Sequence, residues 1–210
     1  EGAVGKHDNK VFYVSDVKLQ AQYIKLFKTQ ALEAVILDHN IDSPFISLME
    51  SKNENVTFAR IDADVNDHLK EETSLSDEAL KEEVDKLEAL FKDALHVESV
   101  KIRLENLKNE DISAMIILSE ESRRMQDMMK MYGMAGMDPN MFKTEATLML
   151  NAKHPLVKQL MDKPDLAQDT RQLICEHLYD LAQLGHTTLD GEAMEKFLKR
   201  SNALLMKLIS

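Results

Sequence analysis

Three short apolar runs punctuate the first sixty residues, and the stretches between them restrict the folds open to the chain. VFYV (11–14), AVILD (34–38) and VTFARID (56–62) are rich in β-branched and aromatic residues and have strand length. The intervening stretches have another period. VKLQAQYIKLFKTQ (17–30) sets Val17, Ala21 and Ile24 at helical spacing. SPFISLMES (43–51) reads as a short helix, with Pro44 in its first turn and Asp42 or Ser43 as its cap. The order is β-α-β-α-β. Apolar strands joined by amphipathic helices imply crossovers, not hairpins, and therefore a small three-stranded parallel sheet covered on both faces.

The pattern changes after Asp62. ADVNDHLKEETSLSDE (63–78) is polar and acidic and reads as a linker. A helix is expected over 77–94, capped by Ser76, with Leu80, Val84, Leu87, Phe91 and Leu95 on one stripe. VESVKIRL (97–104) alternates like a strand with one wet face, and SAMIILS (113–119) is a more buried strand. NLKNED between them supplies a turn, so 97–119 is expected to form an antiparallel hairpin. ATLMLN (146–151) fits a short third strand. Three helices follow, over 154–163, over 165–185 from an Asp165 cap to Gly185, and over 190–210 from an Asp190 cap. The expected fold class is α+β. It consists of a small parallel α/β/α domain, then a domain with a short antiparallel sheet, helices and a terminal helical hairpin. The opening EGAVGKHDNK (1–10) has no apolar period and reads as an unstructured leader.

Charge and cysteine usage narrow the function. Lys plus Arg total 26 against 37 Asp plus Glu, a net charge of −11. Such a chain repels phosphate backbones and anionic bilayers, so no nucleic-acid or membrane partner is expected. Cys175 is the only cysteine, which excludes an internal disulfide and a four-cysteine zinc site and suits a reducing, cytoplasmic setting. No eighteen-residue apolar run is present.

Catalytic patterns are absent. The six glycines form no phosphate-binding loop, the seven histidines include no HExxH, and no Ser-His-Asp arrangement is legible. Asp38, His39 and Asp42 follow the second strand, and Asp62 and Asp64 follow the third. Carboxylates at strand ends suit a metal or phosphate site in an open α/β sheet. The alternative function is therefore a small metal- or phosphate-binding enzyme domain, set against the ordinary use of Asp to start turns and helices.

The terminal helices carry more information. Ile174, Leu178 and Leu181 form a stripe on the first, and Met194, Phe197, Leu198, Leu205 and Leu208 form one on the second. Burying each such side chain is worth roughly 1.5–3 kcal/mol before entropy. A lone hairpin cannot cover that surface, so either the rest of the domain covers it or a second copy does. Two hairpins from two chains would make a four-helix bundle with two-fold symmetry. The segment RRMQDMMKMYGMAGMDPNMF (123–142) holds seven of the thirteen methionines. Met125, Met128, Met129 and Tyr132 follow helical spacing and Met131 widens the stripe. Methionine adapts to irregular partners, so this stripe is either core or a surface for partners of unfixed shape.

Several of these segments together resemble the heat-shock-protein-90 chaperone family in its bacterial form. They are VFYVSD, AVILDHNIDSPFISLME, VKIRL with AMIILS, RRMQDMMKMYG, LMLNAKHPLVKQL and NALLMKLIS. The resemblance runs over residues 11–210. It implies that 11–72 is the last α/β portion of the family's middle domain and 73–210 its C-terminal dimerisation domain. The terminal helices would be the homodimer interface. Met125, Met128, Met129, Met131, Tyr132 and Phe45 would contact unfolded or partly folded client proteins. It also implies no cofactor and no enzyme activity in this chain, ATP and Mg being used by the parent protein elsewhere. The ending LIS lacks the acidic tail of eukaryotic cytosolic members, in keeping with a bacterial origin.

Overall fold

A computed structural model describes residues 9–39, 41–63, 70–71, 76–98, 100–119, 122, 146–163, 166–185 and 187–209. Among these the chain is α+β, with six helices and two three-stranded sheets. It forms two compact units, and the chain first passes from one to the other between residues 66 and 67.

The first unit contains β1 (Lys10–Val14), α1 (Ala21–Thr29), β2 (Val35–Ile36), α2 (Asp42–Lys52) and β3 (Thr57–Arg60). The sheet order is β2-β1-β3, with β1 parallel to both neighbours, as the β-α-β-α-β order requires. Tyr13 pairs with Val35 on one side and Arg60 on the other. Successive β1 side chains point to opposite faces. Phe12 meets Phe27 of α1 edge-on, with ring centres 5.1 Å apart, whereas Tyr13 packs with Ile46 of α2 and Phe58. The two helices thus cover opposite faces of the central strand.

Helix starts in this unit differ from the sequence expectation for a local reason. Asp16 Oδ1 accepts from the amides of Lys18 and Leu19, and Gln20 Oε1 accepts from those of Ser15 and Asp16. These side chains hold residues 17–20 in turns, so α1 begins at Ala21 and not at Val17. Asp42 does not cap α2. It is the first helical residue, and its Oδ2 accepts from the His39 amide at 2.9 Å. Pro44 then sits in the first turn, where its missing N–H goes unneeded.

Apart from Ile117, Leu118 and Ala146, which fall to the first unit, the second unit contains α3 (Asp77–Leu95), β4 (Lys101–Glu105), β5 (Ala114–Leu118), β6 (Ala146–Asn151), α4 (Pro155–Asp162), α5 (Gln168–Leu184) and α6 (Gly191–Leu208). The hairpin expected over 97–119 does not form. The order is β4-β6-β5, with β6 between the two expected partners and parallel to β4. The short antiparallel sheet of the sequence reading is therefore corrected at this pairing. At the centre, Leu148, Met149 and Leu150 of β6 are fully buried.

Asn151, at the end of β6, holds the β4–β5 connection. Its Oδ1 accepts from the amides of Leu107 and Lys153, and its Nδ2 donates to the carbonyls of Asn109 and Ile112. Its amide donates to Ser113 O at 3.0 Å, which sets the end of β6 beside the start of β5. Both side-chain groups of this fully buried residue are satisfied. His154 then caps α4, its Nδ1 accepting from the Leu156 amide, and Pro155 follows at the first helical position. The N-x-x-H-P-L element thus ties a loop to a sheet and starts a helix.

The 63–78 stretch is not a free linker throughout. Lys70 bridges Leu107 and the Glu71 amide donates to Asn106 O at 2.7 Å, while Ser76 caps α3 through the Ala79 amide. Leu87, Phe91 and Ala94 of α3 are buried, and α3 packs on β4 and α5.

Candidate interaction surface on the terminal helices

α6 begins where its cap dictates, since Asp190 Oδ1 accepts from the Ala193 amide at 2.8 Å. α5 begins at Gln168 with Ala167 before it and no side-chain cap, three residues later than expected; Asp165, the expected cap, lies outside the described residues. The two helices join through a polar and aromatic seam. Arg200 Nε donates to Glu176 Oε2 at 2.6 Å, and Nη1 donates to Asp180 Oδ2. All three side chains are at most one-fifth exposed. One turn away, Phe197 stacks on His177 with rings nearly parallel and 5.1 Å apart. The Nδ1 of His177 is buried and has no hydrogen-bond partner. Burial holds its pKa below the ordinary 6.5, the Arg200 charge lowers it further, and Asp180 opposes both.

The expected interface residues separate into two groups. Leu178 is 1% exposed in a single chain and lies inside its own unit, on the helix that α3 covers; it offers no surface to a second copy. Ile174, Met194 and Phe197 are half-buried. Leu181, Leu198 and Leu205 are 39%, 55% and 60% exposed. The Leu208 side chain lies outside what is described. Two further residues belong with the exposed set, Met206 at 60% and Ile209 at 78%. Leu198, Leu205 and Ile209 follow i, i+7, i+11, one flank of α6 beside the seam. An apolar flank beside a fixed seam can hold another apolar helix. It carries no group for covalent chemistry.

The other sites are less convergent. Phe45 lies on α2 and is 44% exposed, with Ile41 and Leu48 exposed at the same helical face. Met125, Met128, Met129, Met131 and Tyr132 lie outside the described residues, as does Asp64. Asp62 is buried and held by Arg60, whose Nε and Nη2 donate to its two oxygens at 2.8 and 3.2 Å. It is thereby removed from ligand binding. Asp38, His39 and Asp42 do converge, with His39 Nδ1 2.7 Å from Asp38 Oδ1, but on an exposed turn closed by Asp42 itself. Cys175 is buried, and burial pushes its thiol pKa up to about 12, away from the reactive thiolate. No described helix is long and apolar enough to cross a membrane.

Comparison with known proteins agrees with the segment likeness. The family model of the Hsp90 protein matches residues 4–210. A chaperone protein htpG of Bacteroides fragilis is 34% identical over 166 residues, covering 74% of this chain and 24% of that protein. The corresponding protein of Bacteroides thetaiotaomicron is 31% identical over 77% of the chain, and that of Psychrobacter arcticus 29% identical over 88%. The chain spans about a quarter of the length of these curated relatives. A match over nearly every residue, with relatives above 30% identity, makes this chain a member of the Hsp90 family.

Proposed function

We propose that this chain is the dimerising, client-contacting C-terminal part of a bacterial Hsp90-type chaperone. Residues 11–72 form the end of a middle domain and residues 73–210 the dimerisation domain. The exposed flank of α6 docks against the same flank of a second copy, so that two helical hairpins become a four-helix bundle. The Met125–Tyr132 stripe and Phe45 meet unfolded or partly folded clients in the cytoplasm, under stress as in ordinary growth. ATP and Mg act in other parts of the longer protein, where their turnover opens and closes the clamp that this fragment hinges. These residues supply binding and no enzyme chemistry.

The observation that carries the reading is the contrast on α6. No described side chain of that helix is buried, while Leu198, Leu205, Met206 and Ile209 are among the most exposed large apolar groups of the described residues. Isolated exposed leucines need no explanation, but apolar residues recurring on one flank of an 18-residue helix do. The names of the relatives supply the chaperone role.

Cysteine trapping tests the proposal. Cys175 is buried and inert, so the wild-type chain gives a low background. Leu205→Cys should give a covalent dimer on mild oxidation. Lys196→Cys, half a turn around the helix on the opposite face, should not. Equal trapping at both positions would contradict a dimer through this flank.

A further inference from the structure

Helix α1 turns Tyr23, Leu26 and Phe27 into the core of the first unit. Its other face is open. Val17, Ala21, Ile24, Lys25, Lys28 and Thr29 line a groove of about 460 Å³. Val17 and Ala21 are exposed and Ile24 is half-buried, so the floor is apolar. Between residues 17 and 32 the only charged side chains are Lys18, Lys25 and Lys28. None of the three holds a carboxylate among the described residues. By contrast Lys86, Lys153, Lys196 and Lys199 each do. In a chain of net charge −11, this apolar groove is edged by lysines that hold no carboxylate among the described residues.

We propose that this face of α1 docks an acidic amphipathic segment of another protein. Apolar side chains one helical turn apart would fill the groove over Ala21 and Ile24, and flanking Asp or Glu would reach Lys25 and Lys28. Charge complementarity favours this occupant over the others. An anionic bilayer would meet three lysines and the repulsion of the remaining acidic surface. A second copy brings few free carboxylates on its terminal helix, because Glu192 and Glu195 of α6 already hold Lys196 and Lys199. The surface lies on another helix than the α6 flank, and the proposal does not rest on the dimer.

The test uses the whole chain and a labelled helical peptide of roughly four turns. The peptide has leucines along one face and glutamates beside them, and binding is read by fluorescence anisotropy. Saturable binding is expected, weakened about tenfold or more by Lys25→Glu with Lys28→Glu and by raised salt. Ile24→Ser should weaken it as well, with little change in melting temperature because that side chain is only half-buried. Absence of binding overturns the proposal, and so does equal binding to the charge-reversed chain or to a peptide with lysine in place of glutamate. Cosedimentation with phosphatidylserine–phosphatidylcholine vesicles that the reversal abolishes would overturn it in favour of a membrane. Self-association that the reversal abolishes would overturn it in favour of a second copy.

Discussion

α5 and α6 are near-twins in sequence pattern and opposites in environment. Both are amphipathic, of 17 and 18 residues, and both carry a stripe of leucines. α5 buries Cys175, Leu178 and Ala182, whereas α6 buries none of its described side chains. The difference lies in their neighbours. α5 packs closely on both α3 and α6, while among the described elements the close packing of α6 is on α5. An apolar stripe records that a helix will be covered and is silent on what covers it. In α5 the cover is internal. In α6 part of it is the seam with α5, and Leu198, Leu205 and Ile209 stay exposed in the single chain.

Substitutions sharpen that contrast in order of size. Leu178→Asp places a charge in the core and should cost at least about 4 kcal/mol, enough to unfold the second unit, as read by urea denaturation and circular dichroism. Leu178→Ala should cost about 3 kcal/mol through the cavity it leaves. Arg200→Ala strands Glu176 and Asp180 in a partly buried seam and should cost about 2–3 kcal/mol. A double-mutant cycle with Glu176→Gln would show a coupling near zero if the seam is instead solvated. Leu198→Ser with Leu205→Ser should change the stability of an isolated chain by no more than about 0.5 kcal/mol, measured at concentrations where the protein is monomeric. A large loss there would mean that α6 is covered internally after all.

The smallest effect is on pH. His177 has a lowered pKa in the fold, so the unfolded state takes up a proton first as the pH falls. The stability that its neutral ring contributes is complete above the unfolded value of 6.5 and drains away as the pH falls below it, down to the folded pKa. His154 is shifted in the same direction, so the wild-type slope is shared. His177→Gln should flatten part of the difference between urea midpoints at about pH 7.5 and about pH 5. An unchanged slope would show that the His177–Phe197 stack tolerates the charge.

Much of the fold was legible because period and order are local properties. The β-α-β-α-β run predicts the parallel sheet without reference to anything distant. The Ser76 and Asp190 caps and the α4 boundaries are read from a few neighbouring residues. Strand order in the second sheet is not local. β4 and β5 look like hairpin partners until β6, further along the chain, inserts its Leu148-Met149-Leu150 run between them. A signal was nonetheless present, since an apolar strand ending in Asn151 and running into His154-Pro155 places an amide where it makes three hydrogen bonds to the loop and a fourth to Lys153. Asp42 misled because a carboxylate before a helix serves a cap and a turn equally well, and the His39 amide was nearer. The split between Leu178 and Leu205 was illegible for the same reason as strand order: it depends on where α3 lies.

The central claim is that the α6 flank is covered by a second copy. Sedimentation equilibrium over a wide concentration range, on the wild type and on Leu198→Asp with Leu205→Asp, tests it most directly. The account predicts a wild-type dimer of twice 24.0 kDa and a folded monomer for the variant, with its circular dichroism retained. A wild-type chain that stays monomeric at every concentration, or a variant that dimerises as tightly, would contradict it.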